Sequence, residues 1–156
     1  MKKILALFIA AVVLLSVVEI IRKPTARQIY EDFDGIVHVI SLTQITWDNK
    51  LIGKREFVGK DTYIGTYFSS CISENGRDVI FGGASVKDRK VCVHVNLRTE
   101  SGNAILRIRL NSETEEYEID NKNTFEKQFY FCNGSNYIML DYNNFTGTAE
   151  IYSDYV

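Results

Sequence analysis

The residues best able to do chemistry in this chain are its rings. Trp47, Tyr63, Tyr67, Tyr130, Tyr137, Tyr142 and Tyr152 all fall in or beside segments that read as strands. Sugars present apolar C–H faces that stack on such rings, while nearby hydroxyl and amide groups fix their orientation. Trp47, Tyr63, Tyr67, Tyr130 and Tyr142 form the candidate ligand-binding set. Trp47 leads it as the only tryptophan, placed beside the polar turn Asp48-Asn49-Lys50. Each tyrosine also has a purely structural alternative, because tyrosine is a common core residue whose hydroxyl reaches the rim.

Catalysis finds little support. The two histidines, His38 and His94, lie in strand-like segments, and the chain contains no G-x-S-x-G, H-E-x-x-H or phosphate-binding glycine loop. His94 shares a face with Asn96 and, across an expected hairpin, with Arg107 or Arg109, which makes a polar patch or simply a solvated sheet face. A glycosidase needs two carboxylates held across a cleft, and 20 scattered acids single out no pair. No catalytic residue is assigned, and the chain is read as a non-enzyme.

Metal and redox chemistry are similarly thin. Asp61, Asp141, Glu150 and Asp154 could together supply oxygen ligands to a structural calcium, but no loop of spaced carboxylates is present. Without a C-x-x-C or an evident Cys/His cluster, no zinc site is expected and no cofactor is assigned. Three cysteines allow at most one internal bridge, and Cys92 with Cys132 is the preferred pair if one forms. Three thiols is the favoured alternative, since cysteine behaves as a small hydrophobe. Glu113, Glu115, Glu116, Glu118 and Asp120 read as a solvated acidic strand and turn. Asn133-Gly134-Ser135 and Asn144-Phe145-Thr146 match the glycosylation pattern, which matters only in a secretory host.

The elements that must position these side chains begin with residues 1–24. Lys2 and Lys3 precede an apolar run from Ile4 to Val18 that Glu19, Ile20 and Ile21 extend, with Arg22 and Lys23 beyond. This is a signal anchor or signal peptide, with residues 4–21 as the membrane contact and the following domain expected outside the cytoplasm. No good cleavage site follows the run, which favours an anchored protein over a secreted one, and no cysteine follows it directly for lipidation. The remaining 132 residues suit one domain and carry 14 basic against 19 acidic residues, so nucleic acid is not an expected partner.

Residues 25–35 read as a juxtamembrane linker or short helix, with Ile29, Phe33 and Val37 at four-residue spacing and Thr25 as a cap. From residue 36 to 156 the pattern is β. Val37, Val39, Ser41 and Thr43 alternate with His38, Ile40, Leu42 and Gln44. Val91, Val93, Val95 and Leu97 alternate with Cys92, His94, Asn96 and Arg98. A turn at Ser101-Gly102-Asn103 and a second run, Ala104 to Leu110, complete an expected hairpin. About nine closely spaced strands, one proline and many Gly/Asn turns predict an all-β antiparallel two-sheet sandwich, jelly-roll-like.

The C-terminal half adds a resemblance. Gly102-Asn103-Ala104-Ile105-Leu106, Phe129-Tyr130-Phe131, Gly134-Ser135-Asn136-Tyr137-Ile138-Met139-Leu140 and Phe145-Thr146-Gly147-Thr148-Ala149-Glu150-Ile151 resemble the closing strands of galactose-binding-like and carbohydrate-module jelly rolls. The chain is also similar to small anchored or secreted proteins of Gram-positive bacteria. The resemblance implies a sandwich, an aromatic platform with polar side chains on loops or one concave sheet, and a structural calcium in some members. The function expected is extracytoplasmic ligand binding, a glycan being the leading ligand; the alternative is a structural or interaction module that docks on an envelope protein.

Overall fold

A computed structural model describes residues 9–10, 12–14, 16–17, 25–119 and 124–156. Residues 1–24, where a signal segment is expected, therefore lie largely outside the described residues, as does Asp120. Of residues 1–24, Ile9, Val13, Leu14 and Val17 are helical with exposed side chains. Among the described residues no helix is long and apolar enough to cross a membrane.

Helix α1 spans Ala26–Ser41, starting at a capping box in which the Thr25 side chain accepts from the Gln28 backbone and the Gln28 side chain accepts from Thr25. It thus runs through residues 36–41, which the alternating pattern assigns to the first strand. The β-branched residues there are only weakly averse to helix, and docking overrides them. Asp34 is the clip: its Oδ1 accepts from the Ser85 hydroxyl and the Val86 amide, each at 2.8 Å, and Lys87 stands 3.4 Å from Oδ2. Burial pushes this carboxyl up, but the Val86 amide, Ser85 and Lys87 outweigh it and hold it below its ordinary value. Tyr30 adds a hydrogen bond to the Val86 carbonyl at 2.5 Å. Two single-turn 3-10 helices, Leu42–Gln44 and Asp48–Lys50, lead into the sheet.

Six strands follow: β1 Lys54–Val58, β2 Asp61–Ser85, β3 Arg89–Leu110, β4 Glu113–Glu118, β5 Phe125–Phe131 and β6 Gly134–Tyr155. All pair antiparallel, in the order β1-β2-β6-β3-β4, with β5 also on β3. The chain is mostly β and antiparallel, as expected, but the strand count is smaller because Glu74-Asn75-Gly76, Gly82-Gly83, Ser101-Gly102-Asn103 and Asn143-Asn144, which read as turns, lie inside continuous strands. Ser101-Gly102-Asn103 does not reverse the chain. Both arms of the expected hairpin are one strand, β3, and both pair with β6.

The three long strands bend at one level. Register slips between Cys71 and Gly76 in β2 and between Thr99 and Asn103 in β3, opposite Asn143–Gly147 of β6. Gly102 adopts φ 70°, and a Cβ there would sit 2.1 Å from the Asn144 carbonyl oxygen, so backbone meets backbone with no room for a side chain. Side chains supply the hydrogen bonds the ladder loses: Asn75 Oδ1 accepts from the Asn144 amide, and Thr146 Oγ1 accepts from the Ser73 amide, both at 2.9 Å.

The bend curls the sheet so that both halves of each long strand feed one core. Tyr63, Tyr67, Val93, Val95, Leu97 and Ile151 come from one half, and Leu106, Ile108, Ile138, Leu140 and Tyr142 from the other. A buried polar chain ties the halves together. The Tyr67 hydroxyl donates to Asp78 Oδ2 at 2.5 Å and lies 2.6 Å from the Tyr142 oxygen, which donates to Ser69 Oγ at 2.9 Å. Asp78 is fully buried and also accepts from the Ile52 and Gly53 amides.

The outer face of the second half is covered. Ile45, Tyr137 and Met139 form a small apolar cluster with Val79, closed over by the segment after α1. Thr46 exchanges hydrogen bonds with the Val79 backbone. Arg55 caps the bulge, donating to the Ile80 carbonyl at 2.8 Å and to the Thr46 carbonyl at 3.0 Å. The outer face of the first half has no such cover among the described residues, and the candidate site lies there.

Candidate functional site

Strand parity decides which side chains face outward. On the first half the register sets two parallel rows across the strands. Lys54, Phe68, Glu150 and Asn96 form one; Glu56, Thr66, Tyr152, His94 and Glu126 form the next. With strands about 4.8 Å apart, a four-strand row spans roughly 14 Å. Apart from Glu126, they line a groove of about 540 Å³.

Phe68 and Tyr152 stand 47% and 46% exposed in this groove. Half-exposed rings on adjacent strands are costly to leave in water and ready to stack on an apolar ligand face. Polar partners flank them. Asn96 donates to Glu150 at 3.3 Å, and His94 packs beside Tyr152 with ring centroids 5.8 Å apart. Glu56 and Glu150 outweigh Lys54 in the groove, so its field disfavours an anion and suits a neutral, hydroxyl-rich ligand.

The candidates named from sequence are dispersed. Tyr63, Tyr67 and Tyr142 are buried core residues, at 1%, 2% and 4% exposure, and present no face to a ligand. Burial pushes all three phenols well above their ordinary range. Tyr67 and Tyr142 turn inward as members of the Asp78 hydrogen-bond chain, and Tyr63 packs its ring in the apolar core beside Phe131. Tyr130 is exposed on β5, its hydroxyl held by Asp88 at 2.8 Å, outside the groove. Trp47 is exposed beside a second, more apolar groove of about 330 Å³ with Val39 and Leu42. Phe68 is the residue sequence reasoning missed; its opposite parity to Tyr67 was the available signal. Arg107 and Arg109 do not join His94, because β3 continues through the bend: Arg107 pairs with Asp141 and Glu116 on the other half.

The four carboxylates considered for calcium also separate. Asp141 is clamped by Arg77 and Arg107, which outweigh the upward push of burial and hold its carboxyl below its ordinary value. Asp61 accepts from the Tyr155 hydroxyl and the Tyr63 amide, and Glu150 from Asn96.

Cys92 and Cys132 are not joined; all three cysteines are free, Cys71 and Cys92 buried and Cys132 exposed. Cys92 sits opposite Gln128, four positions along β5 from Cys132. At about 3.4 Å per residue that offset exceeds the roughly 7 Å Cα separation a disulfide tolerates. Cys92 instead meets other groups. Cys92, His94 and Asp154 bring donor atoms within 4.8 Å of one another, a Cys/His cluster that sequence reading did not anticipate. Burial, then Glu126 and Asp154, push the Cys92 thiol up.

Fold and site together define a mostly β domain with one outer face covered and the other an open, ring-bearing groove. No known protein family matches the chain, and no curated protein does. Solved structures similar to it include the carbohydrate-binding module CBM6cm-2 of Cellvibrio mixtus lichenase 5A, in complex with cellotriose. That likeness has 9% identity and a TM-score of 0.40, over 74% of this chain and 95% of that one. The CBM22-1 xylan-binding domain of Paenibacillus barcinonensis Xyn10C is similar at 11% identity and a TM-score of 0.33, over 64% of this chain and 77% of that one. A ruminal GH26 endo-beta-1,4-mannanase shows 14% identity and a TM-score of 0.36, over 67% of this chain and 24% of that one. The resemblance to carbohydrate-binding modules is weak, at low identity and with TM-scores of 0.40 or below.

Proposed function

We propose that this chain is a non-catalytic, extracytoplasmic β-sandwich of jelly-roll kind, the two halves of its curled sheet serving as the two sheets, that binds a neutral glycan on the open face. Residues 4–21 hold it at the membrane, or direct its secretion if they are cleaved. The observation that carries the reading is the pair of half-exposed rings, Phe68 and Tyr152, set across adjacent strands among Asn96, Glu150, Glu56 and Lys54. The non-catalytic part rests on the absence of nucleophile motifs from the sequence.

The test is a glycan array with the full-length protein, repeated with Phe68→Ala and Tyr152→Ala. Losing one stacked ring removes about 1.5 kcal/mol or more of apolar contact, so each variant is expected to bind at least about tenfold more weakly. Binding that ignores both substitutions, or no binding to any neutral glycan, overturns the reading. A second reading, docking on an envelope protein, is favoured by one observation: Trp47, Val39 and Leu42 are exposed together at the apolar groove. In that case Trp47→Ala abolishes partner capture and Phe68→Ala leaves it intact.

A further inference from the structure

We propose that Cys92, His94 and Asp154 form a transition-metal site of zinc type on the open sheet face, with Glu126 orienting the histidine. The placement follows from register. Cys92 and His94 are two residues apart on β3 and so point to the same side, while Asp154 lies directly opposite Cys92 on β6 and Glu126 directly opposite His94 on β5. Three neighbouring strands thus aim a thiol, an imidazole and two carboxylates at one spot.

Three details favour a cation there. The donor atoms of Cys92, His94 and Asp154 lie within 4.8 Å of one another. Around a tetrahedral zinc, with bonds of about 2.0–2.3 Å, ligand atoms stand roughly 3.3–3.6 Å apart, so the set closes with about 1 Å of side-chain movement. Asp154 Oδ1 is buried with no hydrogen-bond partner among the described residues, an orphaned lone pair that a metal would satisfy. The His94 ring is turned so that Nε2 is 3.9 Å from Asp154 Oδ1 while Nδ1 is 3.4 Å from Glu126 Oε2. That arrangement leaves Nε2 for the metal and gives the Nδ1–H a carboxylate, the outer partner that metal-bound histidines commonly have.

The donor set selects the metal. Thiolate with imidazole suits zinc or its neighbours better than calcium or magnesium, which want oxygen alone. On binding, the Cys92 S–H bond breaks, the sulfur lone pair forms the metal bond, and one proton leaves to solvent per ion. Three protein ligands leave a fourth position open to water beside the groove that His94 lines. The site does not depend on the glycan reading and stands if that reading fails.

Cobalt(II) titration of the reduced full-length protein tests it. One equivalent is expected to produce a near-ultraviolet thiolate-to-cobalt absorption band together with visible bands of tetrahedral intensity, displaced by one equivalent of zinc. Cys92→Ser is expected to abolish the thiolate band, and Cys132→Ser to leave it unchanged. His94→Ala and Asp154→Asn, at half-exposed positions, keep the thiol and are expected to weaken cobalt binding at least tenfold with unaltered far-ultraviolet circular dichroism. No thiolate band, a band that survives Cys92→Ser or vanishes with Cys132→Ser, or unchanged affinity in the folded His94 and Asp154 variants overturns the proposal.

Discussion

Two tyrosines in the same core should respond oppositely to loss of one oxygen. Tyr67→Phe keeps the ring and removes a hydroxyl that donates to a fully buried carboxylate at 2.5 Å. Hydrogen bonds to a charged partner contribute about 1.5–3 kcal/mol. Asp78 keeps its two backbone amide donors and Tyr142 keeps Ser69, so no group is wholly orphaned and the loss stays near about 2–3 kcal/mol. Tyr63 is also buried, but its hydroxyl has no hydrogen-bond partner among the described residues. Tyr63→Phe therefore relieves a desolvation penalty and is expected to be neutral or stabilising by up to about 1 kcal/mol. Urea unfolding reads both: the Tyr67 variant lowers the midpoint without changing the slope, and the Tyr63 variant does not lower it. For a domain of this size the Tyr67 change corresponds to a melting temperature lower by roughly 6–15 °C. Equal losses in the two variants, or a Tyr67 effect under about 0.5 kcal/mol, would refute the idea that the Asp78 chain links the two halves of the curled sheet.

Asp34→Ala removes the clip on α1 and is expected to raise hydrogen exchange across Ala26–Ser41 while the sheet amides stay protected. The Asp34 carboxyl is depressed in the folded state, so its contribution is complete above its unfolded value of 3.8 and fades as pH falls below that through the folded value. α1 exchange should therefore rise selectively in that acidic window. Gly102→Ala, at φ 70° with a backbone oxygen 2.1 Å from the new Cβ, is expected to cost more than about 2 kcal/mol in chemical denaturation. Gly59→Ala, at φ 65° in open space, should cost only about 1 kcal/mol, and equal costs would mean that the bend is not sterically pinned.

The β character of the chain was legible because Val91 to Leu97 alternates cleanly, and the structure buries those four residues on one side. Local pattern failed where a distant contact decided the outcome. Residues 36–41 look like a strand, yet Asp34 and Tyr30 pin them into a helix against a turn some fifty positions away. Gly102 looks like a hairpin turn, but whether a left-handed residue reverses a strand or only bends it depends on what pairs with both sides. Side-chain polarity misled at the site itself: Tyr67 and Phe68 are neighbours, and the more polar ring went inward because an acid buried eleven residues later required its hydroxyl. The groove could not be seen in one strand, since its lining draws on β1, β2, β6 and β3.

The way α1 is attached has a mechanical consequence. A chain drawn by its N-terminus loads the helix before any strand, first at Tyr30 and then at Asp34, each held by contacts to one turn. Sixteen helical residues span about 24 Å and, pulled straight, about 55 Å. The helix is thus a sacrificial length of roughly 30 Å that can pay out under tension, extending the reach of the domain while the ring-bearing face keeps its shape.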